Sequence, residues 1–452
     1  IGENAGDALS TGSDNTLVGD NAGGALSTGT DNIAIGSAAL DAEDTGARSV
    51  AIGSNALSAQ NNDANNYNVA VGYNSGAAAT SGIRNNFFGA ESGEALTTGD
   101  DNIAIGYQTL TSETAGNRSV AIGGNALDAQ NSSTDTNMYN VAVGYAAGGA
   151  ITTGVENVII GGLAGDALTD ADGNVAIGRA SLTTDTLGSK STAIGFQTLQ
   201  NQNFTTATDS FNTVVGYQAG AAVTTGVQNT FIGALAGDAL TDADYNVGVG
   251  LNALSTDTQG SRSTAIGFGA LSTQNFTTAT DSNNTAVGFN AGVLVTTGIS
   301  NTLVGSGAGD ALTSGDSNVA VGHGALTTDT LGDRAVAIGL NALAAQNFTT
   351  STDNYNVGIG YTAGASVTTG VQNTLIGSLA GDAITDADYN VALGYSSLST
   401  NQLGSRSTAV GNNALLTQNP ATATDMYNVA VGHNAGREIT TGVQNTLMGA
   451  LA

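Results

Sequence analysis

The chain of 452 residues contains no cysteine, no tryptophan and a single proline, and only nine of its residues are basic. The absence of cysteine excludes disulfides and thiolate metal sites. Because 37 acidic residues give a net charge of −28, nucleic acid and anionic membranes are not expected as partners. No apolar run approaches the roughly 20 residues that span a bilayer, so we expect no membrane insertion of this segment.

Glycine, in contrast, is abundant, and many of its 65 copies close a repeated phrase such as Asn32-Ile33-Ala34-Ile35-Gly36. Successive closing glycines include Gly36, Gly53, Gly72, Gly89, Gly106, Gly123 and Gly144. Most intervals are 17-residue steps, and every fourth is a 21-residue step, as from Gly123 to Gly144, or a 19-residue step the first time. Four steps make a 72-residue block, as from Gly72 to Gly144.

A period this short is typical of a solenoid or fibre. The repeat runs from the first residue to the last without a linker or a shift in composition. We therefore predict one repetitive domain over residues 1–452. We also expect it to be a segment of a longer chain, because solenoid ends normally carry caps.

Within the phrase, the residue before glycine is always apolar, as at Ile35 and Ile105. Side chains alternate along a strand, so this position and the β-branched one two residues earlier are predicted to stack as the aliphatic core ladder. The residue between them is usually Ala but is Leu, Phe or Ile in one coil of four, which predicts partial burial of the second face as well.

Two polar or flexible positions flank the predicted strand. Asn32 and Asn102 open their phrases, where asparagine favours a turn and can form hydrogen-bonded ladders between stacked coils. Gly36 and Gly106 close them, where a corner with positive φ or a close backbone approach is expected.

These features predict an all-β fold, a parallel β-solenoid or β-roll of about 25 coils, on the order of 120 Å long at about 4.8 Å per coil. The coils are predicted to follow the 17-residue step, with a 21-residue coil every fourth. The longer coil carries an excursion, as at 203–209, where the chain's one proline, Pro420, replaces phenylalanine in a later copy. Proline cannot donate to a ladder, so this excursion is predicted to be a surface loop.

The runs Asn32 to Leu40, Asn102 to Leu110 and Thr192 to Leu199 resemble the head repeats of trimeric autotransporter adhesins and the similar repeats of phage tail fibre proteins. The resemblance covers essentially the whole chain, although adhesin coils are usually shorter. It implies a left-handed β-roll that assembles as a homotrimer or filament. It also implies an extracellular location, as a virion fibre or cell-surface appendage, and a cell-surface glycan or protein as receptor.

An acidic run at Asp170, Asp172 and Asn174 is the candidate metal site. It is similar to the start of a calcium loop, because hard cations prefer carboxylate and carbonyl oxygens. The later ligands of such a loop are missing, so the run also fits an acidic turn in solvent. We expect no other cofactor.

Six of the nine basic residues occupy one site of the block, and most have an acidic residue five positions earlier. The pattern predicts recurrent ion pairs across a turn or between subunits, with a row of ligand-binding arginines as the alternative. The predicted pairs include Asp185 with Lys190, Asp257 with Arg262, and Asp329 with Arg334.

Aromatic residues follow the phrase glycine once per block, where they could pack laterally within a fibre or stack on sugars. They are Tyr73, Tyr145, Tyr217, Phe289 and Tyr361, with His433 in the last copy. Neither His323 nor His433 fits a triad or a metal cluster, and no cysteine nucleophile exists, so we do not expect an enzyme.

The leading functional hypothesis is therefore a structural fibre, a rigid extracellular or virion shaft that supports adhesion to a host or surface. The head of a bacterial trimeric autotransporter adhesin is the nearest alternative. A binding solenoid of another class, either ice-binding through threonines such as Thr98 and Thr153 or calcium-dependent, is the third hypothesis.

Overall fold

The computed structural model describes residues 1–452 and contains strands and turns but no helix. It is a parallel β-solenoid of about 25 coils, which confirms the predicted all-β solenoid. The coils form two compact units, Ile1–Gln228 and Asn229–Ala452, and each is described by itself.

In the first unit, three-residue strands lie in the middle of each phrase and two-residue strands lie in the longer coils. The strands are β1 (Thr16–Val18), β2 (Ile33–Ile35), β3 (Val50–Ile52), β4 (Val69–Val71), β5 (Asn86–Phe88), β6 (Ile103–Ile105), β7 (Gly116–Asn117), β8 (Val120–Ile122), β9 (Thr136–Asn137), β10 (Val141–Val143), β11 (Val158–Ile160), β12 (Val175–Ile177), β13 (Gly188–Ser189), β14 (Thr192–Ile194), β15 (Thr208–Asp209) and β16 (Thr213–Val215).

The second unit has the same pattern. Its strands are β17 (Thr230–Ile232), β18 (Val247–Val249), β19 (Gly260–Ser261), β20 (Thr264–Ile266), β21 (Thr280–Asp281), β22 (Thr285–Val287), β23 (Thr302–Val304), β24 (Val319–Val321), β25 (Gly332–Asp333), β26 (Val336–Ile338), β27 (Thr352–Asp353), β28 (Val357–Ile359), β29 (Thr374–Ile376), β30 (Val391–Leu393), β31 (Gly404–Ser405), β32 (Thr408–Val410), β33 (Thr424–Asp425), β34 (Val429–Val431) and β35 (Thr446–Met448).

The three-residue strands pair in parallel and place equivalent phrase positions side by side. In the first unit Ile33 of β2 lies opposite Val50 of β3, and in the second Thr230 of β17 lies opposite Val247 of β18. The excursions form their own two-stranded ladders, as where Thr208–Asp209 pairs with Gly188–Ser189. Parallel in-register pairing therefore turns each phrase position into a column of equivalent side chains.

The core lies on the face opposite to the one predicted. Ala34, the middle residue of β2, is fully buried, whereas Ile35 is 36% exposed and its counterpart Ile105 is 38% exposed. The prediction that Ile35 and Ile105 form the core ladder is therefore wrong: they form a column on the outer face. The physical reason is space, because the middle residue faces the interior of a narrow coil, where alanine fits beside buried residues such as Leu40.

Large core residues are matched to glycines. Phe87 is fully buried in β5, between the middle alanines Ala70 and Ala104 of the neighbouring strands. A Cβ added at Gly76 or Gly93 would lie 2.7 Å or 2.4 Å from its ring. In the next coil the middle residue is Ala104. There the buried Leu110 occupies the position that Gly93 holds in the coil of Phe87. The larger middle residue that occurs in one coil of four thus fills the core volume that the glycines beside it leave open.

The start of each strand is held by the recurring asparagine of the phrase. The Asn32 side-chain amide accepts a hydrogen bond from the Ser49 N–H at 2.9 Å and donates to the Gly46 carbonyl at 2.9 Å. Asn102 bonds in the same way, to the Ser119 N–H and the Gly116 carbonyl. Buried asparagine side chains therefore satisfy backbone groups at these corners.

Gly36 and Gly106 close the strands with a φ of +137°. A Cβ on Gly36 would lie 2.5 Å from the carbonyl carbon of Gly53 in the next coil. Both the positive φ and the close approach between coils therefore require glycine at this corner.

Candidate interaction surface

The strands present a largely apolar surface to the outside. We call it the outer face: the residues one and three before each phrase glycine. It is formed by side chains that alternate with the buried middle residue, and it includes Val69 and Val71 in β4 and Phe88, 40% exposed, in β5. In the second unit Ile232 and Leu393 hold equivalent positions and are also exposed. Contiguous exposed apolar surface of this kind is uncommon on monomers and marks interaction sites.

Aromatic side chains line one border of the outer face, directly after the phrase glycine. Phe196 and Tyr217 stack with ring centroids 5.5 Å apart in the first unit, and Phe268 and Phe289 stack at 5.3 Å in the second. Tyr73 in the first unit occupies the same position and is exposed. These rings extend the apolar surface beyond the strands and keep one edge or face in solvent.

The basic residues form ion pairs, but not the predicted ones. Lys190 bonds to Asp209 rather than Asp185. The basic residues of the later blocks likewise pair with a different aspartate from the predicted one: Arg262 with Asp281 and Arg334 with Asp353. Lys190 has a left-handed φ of 61°, and its ammonium group lies over the ring of Phe211. These pairs are about half exposed, so each contributes at most about 1 kcal/mol.

The acidic partners expected from the sequence are instead buried. Asp185, Asp257 and Asp329 are fully inaccessible. The Asp185 carboxylate accepts hydrogen bonds from the Gly188 N–H at 3.0 Å, the Phe204 N–H at 3.1 Å and the Gln202 amide at 2.6 Å. It therefore anchors the excursion to the body of the coil. The sequence interpretation missed this role because a five-residue spacing suggested a contact with the nearest cation.

A signal for this anchor is nevertheless present in the sequence. In the copy where Asn401 replaces the aspartate, Pro420 replaces the phenylalanine whose N–H the carboxylate binds. Asn401 turns back to the Gly404 backbone, accepting from its N–H at 3.0 Å and donating to its carbonyl at 2.7 Å. The donor and its acceptor are thus replaced together.

The candidate calcium residues serve as contacts between coils. Asp170 accepts a hydrogen bond from the Thr153 hydroxyl, and Asp172 accepts one from the Val155 N–H at 2.8 Å. Asn174 is buried in the asparagine ladder and binds the Ser191 N–H and the Gly188 carbonyl. The structure does not bring three acidic, histidine or cysteine side chains together in a group that could hold a metal ion.

One half-buried carboxylate, Asp238, lacks the partner that its equivalents have. Asp166 and Asp382 accept hydrogen bonds from Thr183 and Ser399, whereas Oδ1 of Asp238 is buried without a partner. Burial raises the pKa of Asp238 above its ordinary value. Its folded-state pKa is raised, so its contribution favours the folded state at acidic pH and is lost as the pH rises through that pKa.

We expect Asp238→Asn to raise the unfolding temperature at pH 7, by less than about 2 °C because the group is only partly buried. The gain should vanish near pH 3, where the aspartate is protonated and as neutral as asparagine. Thermal unfolding followed by circular dichroism at both pH values measures this difference. Asp382→Asn is the matched control, since the hydrogen bond from Ser399 already satisfies the buried carboxylate oxygen. An equal gain in the control would contradict the explanation.

No protein-family model, curated protein or solved structure matches the chain. Since the fold consists of strands and turns alone, it offers no helical segment that could span a membrane.

Proposed function

We propose that the protein is a structural solenoid that associates with further copies of itself through the outer face. The observation that carries the proposal is the column of half-exposed or exposed Ile, Val, Phe and Leu side chains on this face in both units. A second copy carries the same surface, so symmetric association would cover both at once. Burial of apolar area supplies the driving force.

The finer form of the proposal is a homotrimeric, left-handed β-roll whose coils follow the spacing of the phrase glycines, with a longer coil every fourth. It is supported by that spacing and by the likeness of the phrase to adhesin and tail-fibre repeats. As such a fibre it acts as an extracellular or virion shaft that supports adhesion to a host or surface. The few charged residues and the exposed apolar columns fit a surface that is covered in the assembly better than one that stays in water.

The test introduces charge into the outer face. Phe88 and Ile105 lie opposite each other in β5 and β6, so the double variant Phe88→Glu, Ile105→Glu places two carboxylates in one column of the face. We expect the wild type to have a multiple of the 44.3 kDa chain mass by light scattering, and the variant to shift towards the monomer. Uncompensated charge in an apolar interface disfavours association.

The matched control is Ser81→Glu with Thr98→Glu. These exposed residues belong to the same unit but lie in turns outside the strands that form the outer face, and the added charge is the same. The control should keep the wild-type mass, and both variants should keep the wild-type circular dichroism spectrum. A wild type that stays monomeric at tens of micromolar, or a control that dissociates equally, would overturn the proposal.

A further inference from the structure

A recess opens at one corner of the second unit, beside the aromatic border. Its volume is about 230 Å³, and its lining includes two glycines, Gly307 and Gly324. The side chains of its walls are Phe289, Asn290, Ser306, Asp310, His323 and Thr327.

Gly307 creates this space, although its backbone conformation does not require glycine. Its φ is 61°, and Asn290, Asn341 and Leu379 hold the equivalent position in other coils with φ values of 53° to 57°. A Cβ added at Gly307 would meet only the Asp310 carboxylate, with Oδ2 at 3.4 Å, and no other heavy atom within 4 Å. The missing side chain therefore leaves an accessible volume that coils with Asn or Leu at this position fill.

One wall of the recess is a free aromatic surface. The Phe289 ring stacks on Phe268 of the preceding coil, with an angle of 11° between the planes, and its side chain is 56% exposed. Its other face is therefore directed along the stack, towards the coil of Ser306. His323 follows one coil further, so Phe289 and His323 are separated by two coils, about 10 Å, with only the small Ser306 between them. Phe289 and His323 therefore border the open volume at its two ends.

The polar groups of the recess are positioned to form hydrogen bonds with the hydroxyl groups of a ligand. The Thr327 hydroxyl donates to Oδ1 of Asp310 at 2.6 Å and fixes the carboxylate. Oδ2 receives no hydrogen bond from the protein and lies beside the open volume at Gly307. The Asn290 amide and the Ser306 hydroxyl add donors and acceptors to the lining. An aromatic platform with a few fixed polar groups is the usual construction of a small-molecule site.

We propose that this recess binds a neutral hexopyranose unit of a glycan. The C–H face of the sugar packs on the free face of Phe289, and two of its hydroxyls donate to Oδ2 of Asp310. No lysine or arginine lines the recess, and the chain carries a charge of −28, so acidic sugars are disfavoured. The inference goes beyond self-association, because the recess lies at the corner and not on the outer face.

Saturation-transfer NMR of the full chain with methyl glycosides of glucose, galactose, mannose and N-acetylglucosamine tests the proposal, with methyl sialoside as the acidic comparison. We expect at least one neutral glycoside to bind with a Kd on the order of 1 mM, as a single small site allows. Gly307→Asn, which fills the recess with a residue that the chain uses at this φ, should weaken binding at least tenfold. Phe289→Ala and Asp310→Asn should weaken it as well.

Ala38→Asn is the matched control, because Ala38 holds the equivalent corner position in the first unit with a φ of 53°. It should bind like the wild type, and Gly307→Asn, Asp310→Asn and Ala38→Asn should keep the wild-type unfolding temperature and particle mass. Absence of binding by any neutral glycoside at ten times the expected Kd, or undiminished binding by Gly307→Asn, would overturn the proposal. Since the particle mass is measured separately, that failure would leave the proposed self-association intact.

Discussion

Phe87→Ala is expected to lower the free energy of unfolding by ~3–5 kcal/mol, the largest effect of any single core truncation in the first unit. The ring is fully buried, and the glycines that accommodate it, Gly76 and Gly93, have no side chains with which to refill the cavity. Because each coil contacts only its neighbours, the loss should appear in the adjacent coils first. Denaturant unfolding gives the total, and hydrogen exchange of β4 to β6 gives its location.

A double-mutant cycle separates the cavity from a general loss of apolar area. Gly93→Leu alone should also destabilise, because a Cβ at Gly93 would lie 2.4 Å from the Phe87 ring. The combination of Phe87→Ala with Gly93→Leu reproduces the pairing of Ala104 with Leu110 and should recover much of the stability. If the destabilisations of the two single variants simply add in the double variant, the idea that Phe87 and Gly93 fill the core as a complementary pair is refuted.

Asp185→Ala should cost ~3 kcal/mol or more, although the residue it alters is polar. The substitution leaves three buried N–H groups without an acceptor: those of Gly188 and Phe204 and one N–H of the Gln202 amide, which otherwise donates only to the Ser191 hydroxyl. The excursion at 203–209 should then detach, since the carboxylate is its anchor. Faster hydrogen exchange at Phe204 and proteolysis within the excursion, both compared with the wild type, measure the effect.

The chain contains the matching control in its own sequence. Asp185→Asn combined with Phe204→Pro copies the arrangement of Asn401 and Pro420, in which the donor is removed along with the carboxylate. This double variant should be more stable than Asp185→Asn alone. A reversed order of stability would mean that the Phe204 N–H does not depend on the carboxylate.

The glycine spacing and the Asn-x-Ala-Ile-Gly phrase were enough to predict an all-β parallel solenoid and the position of its strands. They could not decide which strand face is interior, because both faces of β2 are apolar: Ile33 and Ile35 on one, Ala34 on the other. Hydrophobicity alone favours burial of isoleucine. The choice of alanine follows from the small distance between the walls of one coil, a three-dimensional quantity that no residue pattern states.

The same difficulty affected the ion pairs and the recess. Lys190 and Asp185 are close in sequence, but the lysine has a left-handed φ and lies at the surface while the aspartate faces the core. Asp209 reaches Lys190 because Gly188–Ser189 pairs with Thr208–Asp209 between coils. The recess exists because Gly307 has no side chain. Nothing in the sequence distinguishes this residue among the 65 glycines of the chain.

The alternation of buried and exposed positions within each strand has a consequence for how such a chain can evolve. Residues that specify the fold, such as Ala34 and Asn32, are separate from those that meet the surroundings, so the latter can change without disturbing the former. The exposed residues of each coil can then change independently of those of the other coils. A change such as glycine at position 307 alters the surface chemistry of one coil and leaves the surfaces of the other coils as they were.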